Sequence, residues 1–504
     1  MNKRYQSGLL GLALSLLSAF PTPAQERSAA VLISGLKTMF IQNNAEPVKS
    51  QLSTEFSIAA YTHESAIKVL NIIAGRYECD SVSLVAEQTV GTIKKLQLKL
   101  YDKGLLKTET GLYADQNYRI CYVDLFDQLY GMNRYQSSKL KAKIPFEIHD
   151  GFIVLQVKIN NHPLPLRLMF DTGADGIAVL KEKAEQIGLK ETTSQNASVV
   201  GADVKMSFSQ GNVVYLDSLA FRDQKIALFN ELHKGMDGII GNGFTRRYIT
   251  KVDFDQKELS LYDYGDYQYE KVGASVPVSM PSGVYVIPGI LSITAPKPVN
   301  GNFVFDSGAG YQLIAFRPFV KKNRLLVSGF KAEYNGSTSS MGVSSPTFSG
   351  KAAAFSFSHM PAVNDMPITL MAGGGANENW DPGFDGSIGL RLISRYNFTI
   401  NMQKKEIHFS PNRTYDYPHD FAIGGFLFGF NSDGVLEVQS LTSGENMKVS
   451  LKPGAKVKSI NGLAAAIFLK DKKQLTKLMS SPVGTDIVVE STQNGMSFKD
   501  VLVK

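Results

Sequence analysis

Alternation of apolar and polar side chains, the period-two mark of a strand with one buried face, dominates the chain from about residue 93 onward. "TIKKLQLKLYD" (92–102), "FIVLQVKI" (152–159) and "GVYVIPGIL" (283–291) are examples. Helical spacing is confined to "AAVLISGLKTMFIQNN" (29–44) and "ESAIKVLNIIAGRY" (64–77) near the start and "KDKKQLTKLMSS" (470–481) near the end. "LKTETGLYA" (106–114) and "YRICYVDLFDQLYG" (118–131) continue the antiparallel pattern. The pattern predicts a mainly β protein with an α+β domain over 25–138, two β-rich lobes over 141–265 and 275–411, and a small unit over 421–504.

The two lobes are predicted from an internal repeat. "IPFEIHDGFIVLQVKI" (144–159) and "VPVSMPSGVYVIPGIL" (276–291) both carry Pro, then Gly six residues on, then a strand pattern, at an offset of 132. "FDTGAD" (170–175) and "FDSGAG" (305–310) follow at an offset of 135. "DGIIGNGF" from Asp237 and "DGSIGLRL" from Asp385, then "DFDQKELSLY" from Asp253 and "NMQKKEIHFS" from Asn401, follow at an offset of 148. The second copy is therefore longer by 148 minus 135, or 13, residues, and "MAGGGANENWDPG" (371–383) is the expected insertion, read as a loop.

At 504 residues the chain exceeds one hydrophobic core. Lys3 and Arg4 precede an apolar stretch from Gly8 to Phe20, and Thr22-Pro23-Ala24 offers small residues for cleavage, so residues 1–24 read as an export signal and the protein as periplasmic or secreted. That stretch is too short to span a bilayer, and no later segment reaches spanning length without charges. Removing Lys3 and Arg4 takes the net charge from +7 to +5 (7 minus 2). The cations are scattered, which argues against a nucleic-acid partner. Cys79 and Cys121 either pair in an exported chain or remain two separate buried thiols. No HExxH, GxSxG or GxxxxGK[ST] is present. No metal and no cofactor is implied.

The chemistry must come from the duplicated aspartates. A single Asp-Thr-Gly after a strand is an ordinary turn, its carboxylate accepting backbone amides. Two copies in matched settings point instead to a pair, Asp171 and Asp306. Carboxylates held close cannot both ionise easily and share one proton; the charged one takes a proton from water and the neutral one protonates a scissile carbonyl. Such a pair titrates as a unit, so the sequence assigns neither as the acid. Thr172 and Ser307 offer hydroxyls to fix the two loops, and Gly173 and Gly308 let the backbones approach. Ile240-Gly241 and Ile388-Gly389 would pack beneath as apolar support.

Apolar-Asp-Thr/Ser-Gly-Ala followed by apolar-Ile-Gly, twice over, resembles the retropepsin-like aspartic proteases, over a little more than half the chain. The resemblance implies a two-lobed acid-protease fold within one chain, a monomeric catalytic unit, peptide or protein substrates, and flap hairpins bending at Gly201 and Gly342. It also implies an aspartic endopeptidase, against the alternative of a peptide-binding scaffold that does not cut. Ala174 and Ala309 stand where many pepsin-like enzymes carry a hydroxyl residue, which predicts a dyad that titrates higher. "VSLKPGAKVKSINGL" (449–463) with the following helix resembles a bacterial PDZ domain, in which Gly425, Phe426, Leu427 and Phe428 would form the loop receiving a peptide C-terminus. Residues 26–135 are faintly similar to the NTF2-like class, with no chemistry assigned.

Overall fold

The computed structural model describes residues 27–199, 202–230, 235–295, 297–340, 343–372, 380–442 and 449–504. The expected export signal and the flap bends at Gly201 and Gly342 lie outside the described residues, as do 373–379 of the expected insertion.

The fold is mainly β. Each repeat copy closes a sheet on itself. In the first, the order 202–216, 219–229, 177–180, 238–240, 166–170, 152–159 returns to its start because Val214 pairs with Ile159. In the second, 286–292, 298–306, 386–389, 313–315, 363–371, 343–357 closes in the same way, Gly289 pairing with Phe357. Closure removes the open edges that a single small sheet would expose. Each barrel also carries a hairpin extension, Thr193–Val199 on Ala202–Leu216 and Ala332–Ser340 on Val343–Phe357.

What joins the barrels is a six-stranded sheet built from both copies, in the order 274–277, 406–411, 396–401, 249–253, 258–262, 140–145. Its centre is the antiparallel pairing of Ile249–Asp253 with Tyr396–Asn401, and the equivalent strands of each copy lie equidistant from it. Leu140–Pro145 and Ala274–Pro277 are the outer strands, and each ends on the proline that marks the repeat. Proline has no N–H for a ladder, so it is tolerated there and not in the middle. Phe305 meets Phe398 at 5.0 Å between ring centroids, and Phe398 meets Phe254 of the first copy at 6.2 Å. One apolar core therefore runs through both barrels and the sheet between them.

The N-terminal domain packs helices Ala29–Gln42 and His63–Arg76 against an antiparallel sheet ordered 81–90, 93–102, 105–114, 120–123, around its own core. "YRICYVDLFDQLYG" is a strand only to Val123; Asp124–Leu129 is a helix whose Leu125 and Phe126 turn into that core. Cys79 and Cys121 are free. Cys79 precedes the first strand and Cys121 lies in the fourth, at opposite edges of the sheet. Three strand spacings put them roughly 14 Å apart, while a disulfide needs Cα atoms within about 7 Å. The pairing considered from the sequence is not made, and burial raises both thiol pKa values.

This domain is anchored to the second lobe. The Thr62 hydroxyl accepts from the Met280 amide at 2.7 Å, and the Ser65 hydroxyl donates to the Met280 carbonyl at 2.7 Å. Arg134, paired with buried Asp127 at 2.6 Å, donates to the Gln403 carbonyl at 2.9 Å.

The C-terminal unit is a seven-stranded sheet with helices Ala465–Lys470 and Lys472–Met479. Here Gly425, Phe426, Leu427 and Phe428 take a different form from the expected carboxylate loop. Gly424 and Gly425 (φ 54° and 84°) make the tight turn of a hairpin, in which Phe421 pairs with Phe428 and Ile423 with Phe426. The other edge of Phe426–Phe430 pairs with Leu436–Leu441. Both backbone edges are taken over Phe426–Phe428, and Phe426 and Phe428 are buried in the domain core. A peptide has no edge to extend there.

Candidate active site

Asp306 closes the strand Pro298–Asp306, and Asp171 directly follows Leu166–Phe170. Each of these strands runs parallel to the Ile-Gly strand of its copy: Phe170 pairs with Ile240, and Phe305 with Ile388. The Asp loops leave the two barrels at their facing ends and meet across the interlobe boundary.

The meeting is tight and reciprocal. The Thr172 hydroxyl donates to the Phe305 carbonyl at 2.6 Å and accepts from the Ser307 amide at 2.9 Å. The Ser307 hydroxyl donates to the Phe170 carbonyl at 2.8 Å and accepts from the Thr172 amide at 3.0 Å. Both side chains are fully buried. Each hydroxyl thus fixes the loop of the opposite copy.

Glycine is required at the next position. A Cβ on Gly173 would stand 2.6 Å from Asp306 Cγ, and one on Gly308 would stand 2.3 Å from Asp171 Cγ. Any side chain there would displace the carboxyl of the other copy. Gly241 and Gly389 serve a related purpose beneath the loops, where a Cβ would lie 2.3 Å from the Ala174 carbonyl or 2.2 Å from that of Tyr311. Ile240 and Ile388 are buried beside them.

Asp171 and Asp306 are hydrogen-bond partners of one another. The Gly173 amide donates to Asp171 Oδ1 at 2.8 Å, and the Gly308 amide to Asp306 Oδ1 at 3.1 Å. Desolvation holds the Asp171 carboxyl well above the ordinary carboxylate range, and the charge of Asp306 adds to it. Asp306 is also raised by desolvation, opposed by hydrogen bonds from Ser387, Asp171 and the Gly308 amide. Two carboxyls so placed cannot both ionise easily.

Several residues of the site were not singled out from the sequence. Buried Asn242, just after Ile240-Gly241, donates to the carbonyls of Thr172 at 2.8 Å and Gly283 at 3.1 Å, tying the first Asp loop to the second copy. Arg246 pairs with Asp175 and donates to its carbonyl at 2.8 Å. Arg391, two residues past Gly389, donates to the Gly310 carbonyl at 3.1 Å and pairs with Asp420 at 3.0 Å, so it links the second Asp loop to the segment entering the C-terminal domain. Ser387 donates to Asp306 Oδ2 at 2.9 Å. The only trace of this in the sequence is that "DGSIG" departs from "DGIIG" at one position.

Among the described residues no cluster of three His, Cys, Asp or Glu side chains is placed to hold a metal ion, and no helix is long and apolar enough to cross a membrane. Residues 155–244 match the family model described as aspartyl protease. Among solved structures the chain is similar to the aspartic proteinase from Irpex lacteus, at 13% identity and a TM-score of 0.37, over 55% of this chain and 98% of that one. No curated protein matches.

Proposed function

We propose that the chain is an exported aspartic endopeptidase that hydrolyses peptide bonds with a water activated between Asp171 and Asp306. The observation that carries this reading is the reciprocal fit of the two Asp loops, in which each glycine leaves the space that the other copy's carboxyl occupies. A fold that needed only turns at these positions would have no reason to bring two acids together at the cost of desolvating both. The match of the first lobe to the aspartyl protease family supports it.

The pair supplies both functions that hydrolysis needs. Water attacks the scissile carbonyl carbon as it gives a proton to the ionised carboxyl, and the protonated carboxyl gives its proton to the carbonyl oxygen. In the tetrahedral diol that results, the newly protonated carboxyl donates to the amide nitrogen. The C–N bond then breaks, and a diol hydroxyl returns a proton to the other carboxyl. The products are an acid and an amine, and the pair regains its starting state.

Incubating the full chain with a denatured protein, with and without a statine-type transition-state mimic, tests the reading. Mimic-sensitive fragments are expected. Binding of peptides with no cleavage at any pH from 3 to 7 would replace it with a non-catalytic peptide scaffold.

A further inference from the structure

Among the side chains that reach the two carboxyls, one sets the copies apart. At the position two residues before the supporting glycine, the first copy has Ile239 and the second has Ser387. Ile239 is buried in an apolar cluster with Val154, Met169 and Met206. Ser387 is 1% exposed, and its hydroxyl donates to Asp306 Oδ2 at 2.9 Å. Since the Gly308 amide donates to Oδ1 of the same carboxyl, Asp306 receives a donor on each oxygen. Asp171 receives one from Gly173 on Oδ1. The Ala174 amide also donates to Asp171, but neither alanine side chain brings a hydroxyl, so the Ser387 hydroxyl on Asp306 is the donor that the first copy does not match.

A hydroxyl donated to a carboxylate favours its charged form. We propose that Ser387 is a positioning residue that breaks the symmetry of the pair, making Asp306 the ionised member and Asp171 the protonated one. Resting on the peptidase reading above, this fixes the direction of proton flow: Asp306 takes the proton from water, and Asp171 gives its own to the carbonyl oxygen. As the C–N bond breaks, Asp306 gives its proton to the amide nitrogen and a diol hydroxyl returns one to Asp171, so the pair regains its starting state. The first step therefore requires a substrate seated with its carbonyl oxygen toward Asp171 and the water on the Asp306 side. Besides the two carboxyls, the titratable group bearing on the pair is the phenol of Tyr311, which follows the second Asp loop. Burial holds that phenol neutral, and it also interacts with the Ser387 hydroxyl.

The experiment reads charge separately from turnover. In full-length Asp171→Asn and Asp306→Asn variants, the carbon resonance of the remaining site carboxyl is followed through a pH titration, with and without Ser387→Ala. Asp306 is expected to titrate below Asp171. Ser387→Ala should raise the Asp306 midpoint by about one pH unit, as loss of a charge-assisted bond implies, and leave Asp171 in place. In the otherwise intact enzyme, Ser387→Ala should move the acidic limb of kcat/KM upward by about the same amount with little change in KM, and Ser387→Thr should restore it. An Asp306 midpoint that ignores Ser387, or a loss of rate equal at every pH, would overturn the assignment. If the midpoint moves but no peptide is ever cut, the charge assignment stands and the peptidase reading fails.

Discussion

Replacing Thr172 by valine isolates the grip between the lobes. Valine has nearly the shape of threonine and fills the same space, so the change removes a hydroxyl and little else. Two bonds are lost, the donation to Phe305 at 2.6 Å and the acceptance from Ser307 at 2.9 Å. Both partners lie in the fully buried interlobe contact, where water cannot replace the missing group. An unsatisfied buried donor or acceptor costs about 1–3 kcal/mol, so two cost about 2–6 kcal/mol. For a body of this size each kcal/mol lowers Tm by roughly 2–3 °C, which predicts a fall of roughly 4–18 °C in the transition of the two-barrel body, followed by calorimetry. Thr172→Ser keeps both bonds and should recover most of the loss. Ser307→Ala breaks the mirror-image pair, and the double variant should lose less than the sum of the two, because the four bonds form one network. Peptide cleavage should fall with the grip, since the carboxyls are held through it. A Thr172→Val protein that melts within about 2 °C of the parent and cleaves at the parent rate would refute the claim that these hydroxyls set the spacing of the pair.

Further outcomes follow from the same geometry. Asp171→Asn and Asp306→Asn should each lower peptide cleavage at least about 10²-fold, and mixing the two inactive chains should restore nothing, since one chain holds both loops; recovery on mixing would show exchange of lobes between chains. Because burial raises the folded-state pKa of Asp171 above its ordinary 3.8, the native state binds that proton more tightly and loses stability as pH rises from about 3.8 through the raised value. Asp171→Asn should therefore melt above the parent at pH 7, with the difference closing below pH 3.8; a constant difference would refute the linkage. The activity maximum should lie above that of gastric-type enzymes, and one below about pH 3, under the ordinary carboxylate range, would contradict the raised pair. A chain ending at Asp420 keeps the Arg391 ion pair and the Tyr415, Tyr417 and Pro418 carbonyls that Arg395 holds. It should fold and still cut a short peptide, and loss of all cleavage in a folded product would mean that the C-terminal domain completes the site.

The repeat made the two Asp loops, the supporting Ile-Gly strands and the β-rich lobes legible, because each is a local pattern: an apolar run ending in a carboxylate, a glycine where backbones must approach, a period of two. The same local patterns misled where the outcome depended on strands far apart in the sequence. Cys79 and Cys121 share a domain, but sheet order sets them at opposite edges. Gly425 to Phe428 has the composition of a carboxylate loop, but Phe421–Ile423 folds back and occupies its edge. The repeat likewise gave no sign that the outer strands of each copy would leave their barrel for a common sheet, since strand pairing is chosen by the partner's free edge and buried face. The asymmetry of the site lies deepest. A single Ile-to-Ser difference between copies is visible in the sequence, yet a serine in a strand is as often a solvent contact as a donor. Only the parallel register that sets Ser387 beside Val304, two residues before Asp306, brings its hydroxyl to that carboxyl. Sequence determined which groups could do chemistry, because residue type fixes proton affinity and bonding capacity. Tertiary structure decided which of them meet and how unequally they are charged, because desolvation and hydrogen-bond geometry arise only once distant segments are packed together.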